Sequence, residues 1–168
     1  FTHRLCRDWE NAAKPLADDG VRVCFSRTGV VAGPDGGFLE RMVLPFKLGL
    51  GGRLGSGKQF MPWVHRDDVV GALIWMMENP GASGPFNVVS PNPATNAEFT
   101  RSLGKVLHRP TLFPAPAPVL KIALGEMARL LLTGQKAVPE KLINQGFQFR
   151  YPDLEPALAQ SIAPGASR

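Results

Sequence analysis

The sequence predicts an α/β fold, and three observations predict it. Residues 49–79 (GLGGRLGSGKQFMPWVHRDDVVGALIWMMEN) read as a glycine-rich loop, a short apolar stretch from Phe60 to Val64, and a helix opened by His65-Arg66-Asp67-Asp68. Strand-like and helix-like stretches alternate on both sides of this segment, the pattern of βαβ units and a parallel sheet. From Pro110 the texture changes to a proline-punctuated segment followed by a strongly apolar one.

Leu5, Trp9, Ala12, Ala13 and Leu16 fall at helical spacing, so Phe1 stands at or just before a helix that Gly20 ends. Val21, Val23 and Phe25 alternate with Arg22, Cys24 and Ser26 as in a strand that Thr28 to Val31 continue. Gly33-Pro34-Asp35-Gly36-Gly37 predicts a turn. Leu39, Met42, Val43 and Phe46 predict a short helix from Phe38 to Leu48, interrupted at Pro45.

The helix after His65 offers Val69, Val70, Leu73, Ile74 and Met77 as its apolar face, with Met76 and Trp75 expected in the core. Asp67 and Asp68 suit its start, where carboxylates accept orphan N–H groups and meet the positive end of the dipole. Pro85 to Ser90 reads as a strand. Thr95-Asn96-Ala97-Glu98 is a capping box ahead of a helix carrying Phe99, Leu103, Val106 and Leu107.

Pro110, Pro114, Pro116 and Pro118 predict an extended linker or edge segment. Val119 to Leu132 predicts a buried helix, too short for a membrane span. Pro139 to Asn144 predicts another helix, stopped near Gly146. Phe147 to Tyr151 alternates as a strand, Asp153 is placed to cap a last helix through Ile162, and residues 164–168 are expected to fray.

Composition narrows the function classes. With 168 residues and a hydrophobic share of 44% the chain can bury a core. No apolar run reaches the roughly 18 residues of a membrane span, and the start lacks a secretory signal pattern. Two cysteines are too few for a disulfide framework, so the reducing cytoplasm is the expected compartment. The net charge of +5 is spread along the chain without a dense basic run, so neither nucleic acid nor a membrane is an expected partner.

Several motifs nearly match and fail. Residues 52–59 (GRLGSGKQ) lack the hydroxyl that a P-loop needs after its lysine, and Pro62 blocks the helix that should come next. Gly49 and Gly51 start a G-x-G-x-x-G pattern that Leu54 breaks, with no first strand ahead of it. His3, His65 and His108 have no cysteine or histidine at zinc-ligand spacing, so no metal is expected. His65 is either a strand-end histidine bonded to backbone or a site residue. Asp67 and Asp68 are caps or acid–base groups, with capping the blander reading. No serine sits in a G-x-S-x-G elbow.

Taken together, these residues resemble the C-terminal half of the YfcH-type epimerase family, atypical extended short-chain dehydrogenases/reductases. The resemblance rests on Arg27-Thr28-Gly29-Val30-Val31, Leu44 to Gly52, Gly55-Ser56-Gly57, Trp63-Val64-His65, Asp67-Asp68, Gly84-Pro85-Phe86-Asn87 and Thr95 to Phe99. It extends through Gly125-Glu126, Gly134-Gln135 and Pro139 and covers nearly the whole chain.

The resemblance implies the C-terminal part of an NAD(P)-binding Rossmann-like domain over residues 1–109, and a small, mostly helical, substrate-side domain over 110–168. It implies that the family's first strand, dinucleotide loop and early helices would precede Phe1, so that NAD(P) is held mostly by residues absent here. Arg27, Thr28, Gly29 and Val30 correspond to the stretch beside the nicotinamide, where a glycine permits close approach. Lys58, Gln59, Phe60, Trp63 and His65 would face the substrate, a small molecule whose candidates include anionic, nucleotide-linked metabolites. A homodimer is compatible with the family.

The family's Tyr-x-x-x-Lys pair, in which the lysine lowers the pKa of a proton-transferring tyrosine, is replaced by Thr2 and Cys6. Met61 and Pro62 stand where sugar-nucleotide epimerases carry a diphosphate-binding arginine, with Lys58 and Arg53 the available substitutes. The catalytic residues are therefore open. An NAD(P)-dependent epimerase or oxidoreductase and a non-catalytic NAD(P)-sensing or scaffold protein both remain as readings.

Overall fold

The computed structural model describes residues 2–34 and 36–163. Phe1, Asp35 of the expected turn and the 164–168 end lie outside the described residues. Helices α1 (Thr2–Ala12) and α2 (Lys14–Asp18) lead to strands β1 (Cys24–Thr28) and β2 (Val30–Ala32), then helix α3 (Gly37–Lys47). Strands β3 (Phe60–Met61) and β4 (Trp63–His65) precede helix α4 (Arg66–Glu78), strand β5 (Gly84–Val88), strand β6 (Ala94–Thr95) and helix α5 (Asn96–Val106). The rest is helical: α6 (Ala117–Leu124), a 3-10 turn (Gly125–Met127), α7 (Ala128–Leu132), α8 (Glu140–Asn144) and α9 (Leu154–Ile162).

The strands form a parallel ladder that forks. β1 pairs with β5 from Cys24↔Gly84 to Thr28↔Val88, and β2 pairs with β4 from Val30↔Trp63 to Ala32↔His65. The fork is at Gly29. Its N–H still donates to Val88 O (3.0 Å), whereas the next N–H, of Val30, donates to Pro62 O (2.7 Å). On the other side Ser90 N–H donates to Trp63 O (2.7 Å), so β4 is wedged between β2 and the chain leaving β5. A Cβ on Gly29 would lie 2.1 Å from Pro62 O and 2.9 Å from Val89 Cγ1. Only glycine leaves room for the wedge. A short antiparallel pair, β3 with β6, continues from the same region.

Two cores flank the fork. Trp63, with Leu39 and Phe46 of α3, Phe99 and Leu103 of α5, and Ala157 and Leu158 of α9, makes the first. Val64 and its neighbours Phe86, Val88, Ala72, Met76, Leu142 and Phe147 make the second. Successive strand residues face opposite sides, so the pair Trp63-Val64 belongs to both. Full burial of side chains of this size is worth about 1.5–3 kcal/mol each.

Several expected features differ. β1 begins at Cys24, not Val21, because the Arg22 side chain turns to the end of α4 and donates to Met76 O (2.6 Å), Met77 O (2.8 Å) and Ala82 O (3.0 Å). These bonds satisfy carbonyls that a helix terminus otherwise leaves orphaned. The inward face of α4 is Asp68, Ala72 and Met76, while Val70, Leu73, Ile74 and Met77 are exposed. The small Ala72 sets the close face, which a stripe of larger side chains cannot supply.

α3 runs through Pro45 to Lys47, since a proline in the last turn removes only one helical hydrogen bond. The apolar stretch 119–132 is not one buried helix. Gly125 takes φ +56° and divides it, and Ile122 stays 88% exposed. Residues 147–151 form no strand, with a bend at Arg150, and pair with no strand among the described residues. Their alternation reflects Phe147 packed beside Phe149 and Trp75. The capping box forms as expected: Glu98 N–H donates to Thr95 Oγ1 (3.3 Å), and Thr95 N–H donates to Glu98 Oε2 (2.7 Å).

Two outcomes are expected for stability. Gly29→Ala should destabilise the chain by about 1–3 kcal/mol, the usual range for overpacking, and an unchanged urea midpoint would refute the wedge. Glu98 is the second case. Its hydrogen bonds from the Thr95 backbone and hydroxyl hold its pKa below the ordinary glutamate value. Such a group stabilises the fold above its unfolded pKa, about 4.3, and loses that contribution as pH falls through the lowered native value. Glu98→Gln should therefore cost stability at neutral pH and flatten the acid limb of a pH–stability profile; a parallel offset at every pH would contradict it.

Candidate functional site

The residues expected beside a cofactor lie at the fork. Arg27 and Thr28 end β1 with exposed side chains. Nε and Nη2 of Arg27 form a bidentate pair with the Glu10 carboxylate of α1 at 2.6 and 2.7 Å. That bond raises the arginine's pKa further above its ordinary value, so the group is always a cation. The Thr28 hydroxyl shares a hydrogen bond with Ser26 (2.9 Å). Gly29 and Val30 present backbone to the fork. Thr28 and Val88 are the carboxyl ends of a parallel pair, the position where open α/β sheets bind ligands.

The residues expected on the substrate side divide into two groups. Trp63 and His65 share the β2–β4 ladder with Val30 and Ala32, yet both are core residues. Trp63 is buried and its Nε1–H donates to Asn92 O (3.2 Å). His65 is fully buried: Nδ1 accepts the Asp67 N–H (3.2 Å), Nε2 lies 2.7 Å from Gln160 Oε1, and the ring packs 4.0 Å from Tyr151. With Nδ1 accepting, Nε2 carries the hydrogen. Neither ring has an open face for a small molecule.

His65 is thus the N-cap of α4, the backbone-bonded alternative of the two readings. The aspartates do not cap by side chain. Asp68 is buried and its two oxygens accept the N–H groups of Arg150 (2.6 Å) and Tyr151 (3.0 Å), while Asp67 lies beside Arg66. The correction has a physical reason: once histidine caps, Asp68 is free to satisfy a segment that has no strand partner.

Lys58, Gln59 and Phe60 form the second group, away from the β2–β4 ladder. Lys58 is exposed, with its N–H bonded to Ser56 Oγ (3.2 Å). Both Gln59 amide hydrogens are spent on main-chain carbonyls, Leu54 O (3.0 Å) and Leu131 O (2.9 Å). Gln59 therefore positions the loop instead of offering free donors. Buried Asn96 completes the tie, accepting Leu54 N–H (2.8 Å) on Oδ1 while its own N–H donates to Gln59 O (2.8 Å).

Phe60 is half-buried, with Lys136 Nζ 5.5 Å above its ring. Lys136 was not legible as a site residue, although it adjoins the Gly134-Gln135 pair that carries the resemblance. Gly134 itself has no room for a Cβ, which would fall 1.9 Å from Phe60 O. Among the described residues no three His, Cys, Asp or Glu side chains are grouped to hold a metal. Cys6 is an exposed free thiol on α1.

This is the geometry of a nucleotide-cofactor α/β protein, and comparison assigns the class. Residues 2–90 match the NAD dependent epimerase/dehydratase family, and the chain belongs to it; residues 115–161 match a domain of unknown function (DUF1731). Within that class the relatives are epimerase family proteins. Mb2239 of Mycobacterium bovis is 46% identical over 167 residues, 98% of this chain and 56% of that protein. The crystal structure of human epimerase family protein SDR39U1 (isoform 2) with NADPH is 42% identical, with a TM-score of 0.80 over 84% of this chain and 48% of that one. A nucleoside-diphosphate sugar epimerase from Corynebacterium glutamicum is 33% identical, with a TM-score of 0.75 over 94% and 30%. The chain spans about half the length of the curated relatives it matches.

The tie through Asp68 has a measurable consequence. Asp68→Ala should cost about 3 kcal/mol, since it strips two charge-assisted bonds and leaves buried donors unmet. Hydrogen exchange at the Arg150 and Tyr151 amides should rise before global unfolding; unaltered protection there would show that the carboxylate does not hold the segment.

Proposed function

We propose that this chain is the substrate-facing part of an NAD(P)-dependent epimerase-family protein, with the backbone of Thr28, Gly29 and Val30 against the nicotinamide end of the cofactor. The observation that carries the reading is the fork at Gly29, where the parallel β1–β5 pair ends at its carboxyl edge, the position at which open α/β sheets bind ligands. The family match supports it, as does the human relative's crystal structure with NADPH. A further support is the surface around β1. That strand pairs only with β5 among the described residues. Leu5 and Trp9 of α1, whose Glu10 pairs with Arg27 of β1, and Val70, Leu73, Ile74 and Met77 of α4 are exposed. An unpaired strand edge together with exposed apolar side chains invites further sheet.

On this reading the adenine half of the cofactor is held outside these 168 residues, and residues 1–109 and 110–168 act as Rossmann-like and substrate-side units. Lys58 and Lys136, beside Phe60, select an anionic small molecule, with an aromatic face for an apolar portion. Gln59 and Asn96 hold that loop in place. The non-catalytic alternative draws on Thr2 and Cys6, which cannot do the work of a tyrosine and lysine pair.

Titration calorimetry with NADPH and NADH tests the cofactor assignment. A form extended to the length of the relatives should bind one of them, and the 168-residue chain alone should not; tight binding by the short chain contradicts the division. In the extended form Lys58→Glu with Lys136→Glu should weaken binding of uridine diphosphate, an anionic probe, by about tenfold, or ~1.4 kcal/mol. Cofactor affinity should stay as it was. Turnover in a substrate screen followed by nicotinamide absorbance would eliminate the sensor alternative.

A further inference from the structure

The charges are not distributed evenly once the acidic residues are considered. Between Glu40 and Asp67 the sequence holds five lysines and arginines and no carboxylate, and between Glu98 and Glu126 four and none. The fold brings these two runs together. Leu54 forms a bridge with Ala115, Gly55 N–H donates to Ala115 O (2.9 Å), and Ala115 N–H donates to Arg53 O (2.9 Å). Gly52 lies so close to Phe113 O that a Cβ there would fall 1.8 Å from it.

The joined runs expose large apolar side chains. Leu44, Leu48 and Leu50 protrude at the end of α3 and the loop after it, and Leu112, Phe113 and Ile122 protrude before and on α6, each more than half exposed. Lys47, Arg53, Arg109 and Lys121 stand among them, and none is ion-paired with a described carboxylate. Exposed apolar side chains gathered on two runs that the fold joins at Gly52 and Phe113 point to an interaction site.

We propose that this face docks on an anionic lipid bilayer, with the leucines, Phe113 and Ile122 entering the headgroup boundary and the cations meeting the lipid phosphates. Charge complementarity selects the occupant. A surface of protruding aliphatic side chains among cations, with carboxylates only at its two ends (Glu40 and Glu126), matches an anionic interface. A second copy of the chain would set cations against cations across a two-fold contact. Single-stranded nucleic acid asks for aromatic stacking platforms, and five of the six protruding side chains are aliphatic. The docking is peripheral: no described helix is long and apolar enough to cross a membrane. It does not depend on the cofactor assignment.

Sedimentation of the purified protein with vesicles tests the proposal. Binding to equimolar phosphatidylglycerol and phosphatidylcholine should exceed binding to phosphatidylcholine alone by at least about tenfold and should weaken as salt rises. Leu48→Glu with Ile122→Glu, and separately Lys47→Glu with Lys121→Glu, should each lower it by about tenfold or more. The thermal melt should be retained. Should the glutamates unfold the chain, Leu48→Ser with Ile122→Ser gives the same comparison at unchanged charge. No vesicle binding, equal binding to both compositions, binding that survives every substitution, or retention on RNA or an acidic protein without vesicle binding would each overturn it.

Discussion

The absence of a side chain at Gly29 is the constraint on which the rest depends. A parallel ladder has one slot beside each strand, and β1–β2 has to serve two partners along its length. The exchange takes place over one residue, between the Gly29 N–H that reaches Val88 and the Val30 N–H that reaches Pro62. With Pro62 O and Val89 already in the space of a Cβ, any larger residue would push β4 out of the slot. β4 carries Trp63 into one core and Val64 into the other. Displacing it would therefore loosen both cores.

Beyond β4 the chain is fixed by polar groups more than by apolar area. His65 caps α4 with one nitrogen and reaches α9 with the other, while Asp68, one turn on, holds two amides of the segment leading to α9. Burying such groups is costly unless each finds its partner, and here the partners lie far along the sequence, at residues 150, 151 and 160. The same logic operates at the Lys58 loop, where Gln59 and Asn96 use side-chain amides to close backbone donors and acceptors beside a single bridge to Ala115. These ties connect residues 52–68 to the C-terminal helices alongside the apolar contacts of Trp63 with α9 and of Val64 with Leu142.

Much of the fold was legible in the sequence where local chemistry decides. The Thr95–Glu98 box, the stops at Gly20 and Gly146 and the strand at Pro85 depend on near neighbours and stand as read. Gly29 was read as a place for a cofactor to approach closely; the Pro62 carbonyl between β3 and β4 that crowds it was not legible. The inner face of α4 was misread because hydrophobicity alone ranks Leu73 and Ile74 above Ala72 and Asp68, whereas the buried side of the helix carries Asp68, Ala72 and Met76. The alternation at 147–151 imitates a strand because Phe147 and Phe149 pack among aromatic rings, and its amides go to Asp68. Trp63 and His65 looked like site residues from their place at a strand end; depth in the fold is not written locally. Lys136 and Asn96 gave no signal because each matters only through a distant segment.

Exposed apolar surface on this chain is of two kinds, and charge separates them. The exposed residues of α1 and α4 accompany a strand with an unpaired edge, and their surroundings are mixed: Arg4 and Arg7 lie near Asp8, and Arg66 near Asp67. Mixed charge beside an open backbone edge suits protein, which can pair the edge and answer both signs. On the face built from the end of α3, the glycine-rich loop and α6 the described carboxylates stand only at the two ends, Glu40 and Glu126, outside the run of cations. A spread-out net charge of +5 conceals this, because counting dense basic runs looks for what is present, whereas the distinguishing property is the missing acid. An apolar surface that anions complement is better matched to lipid phosphates over hydrocarbon than to another folded chain.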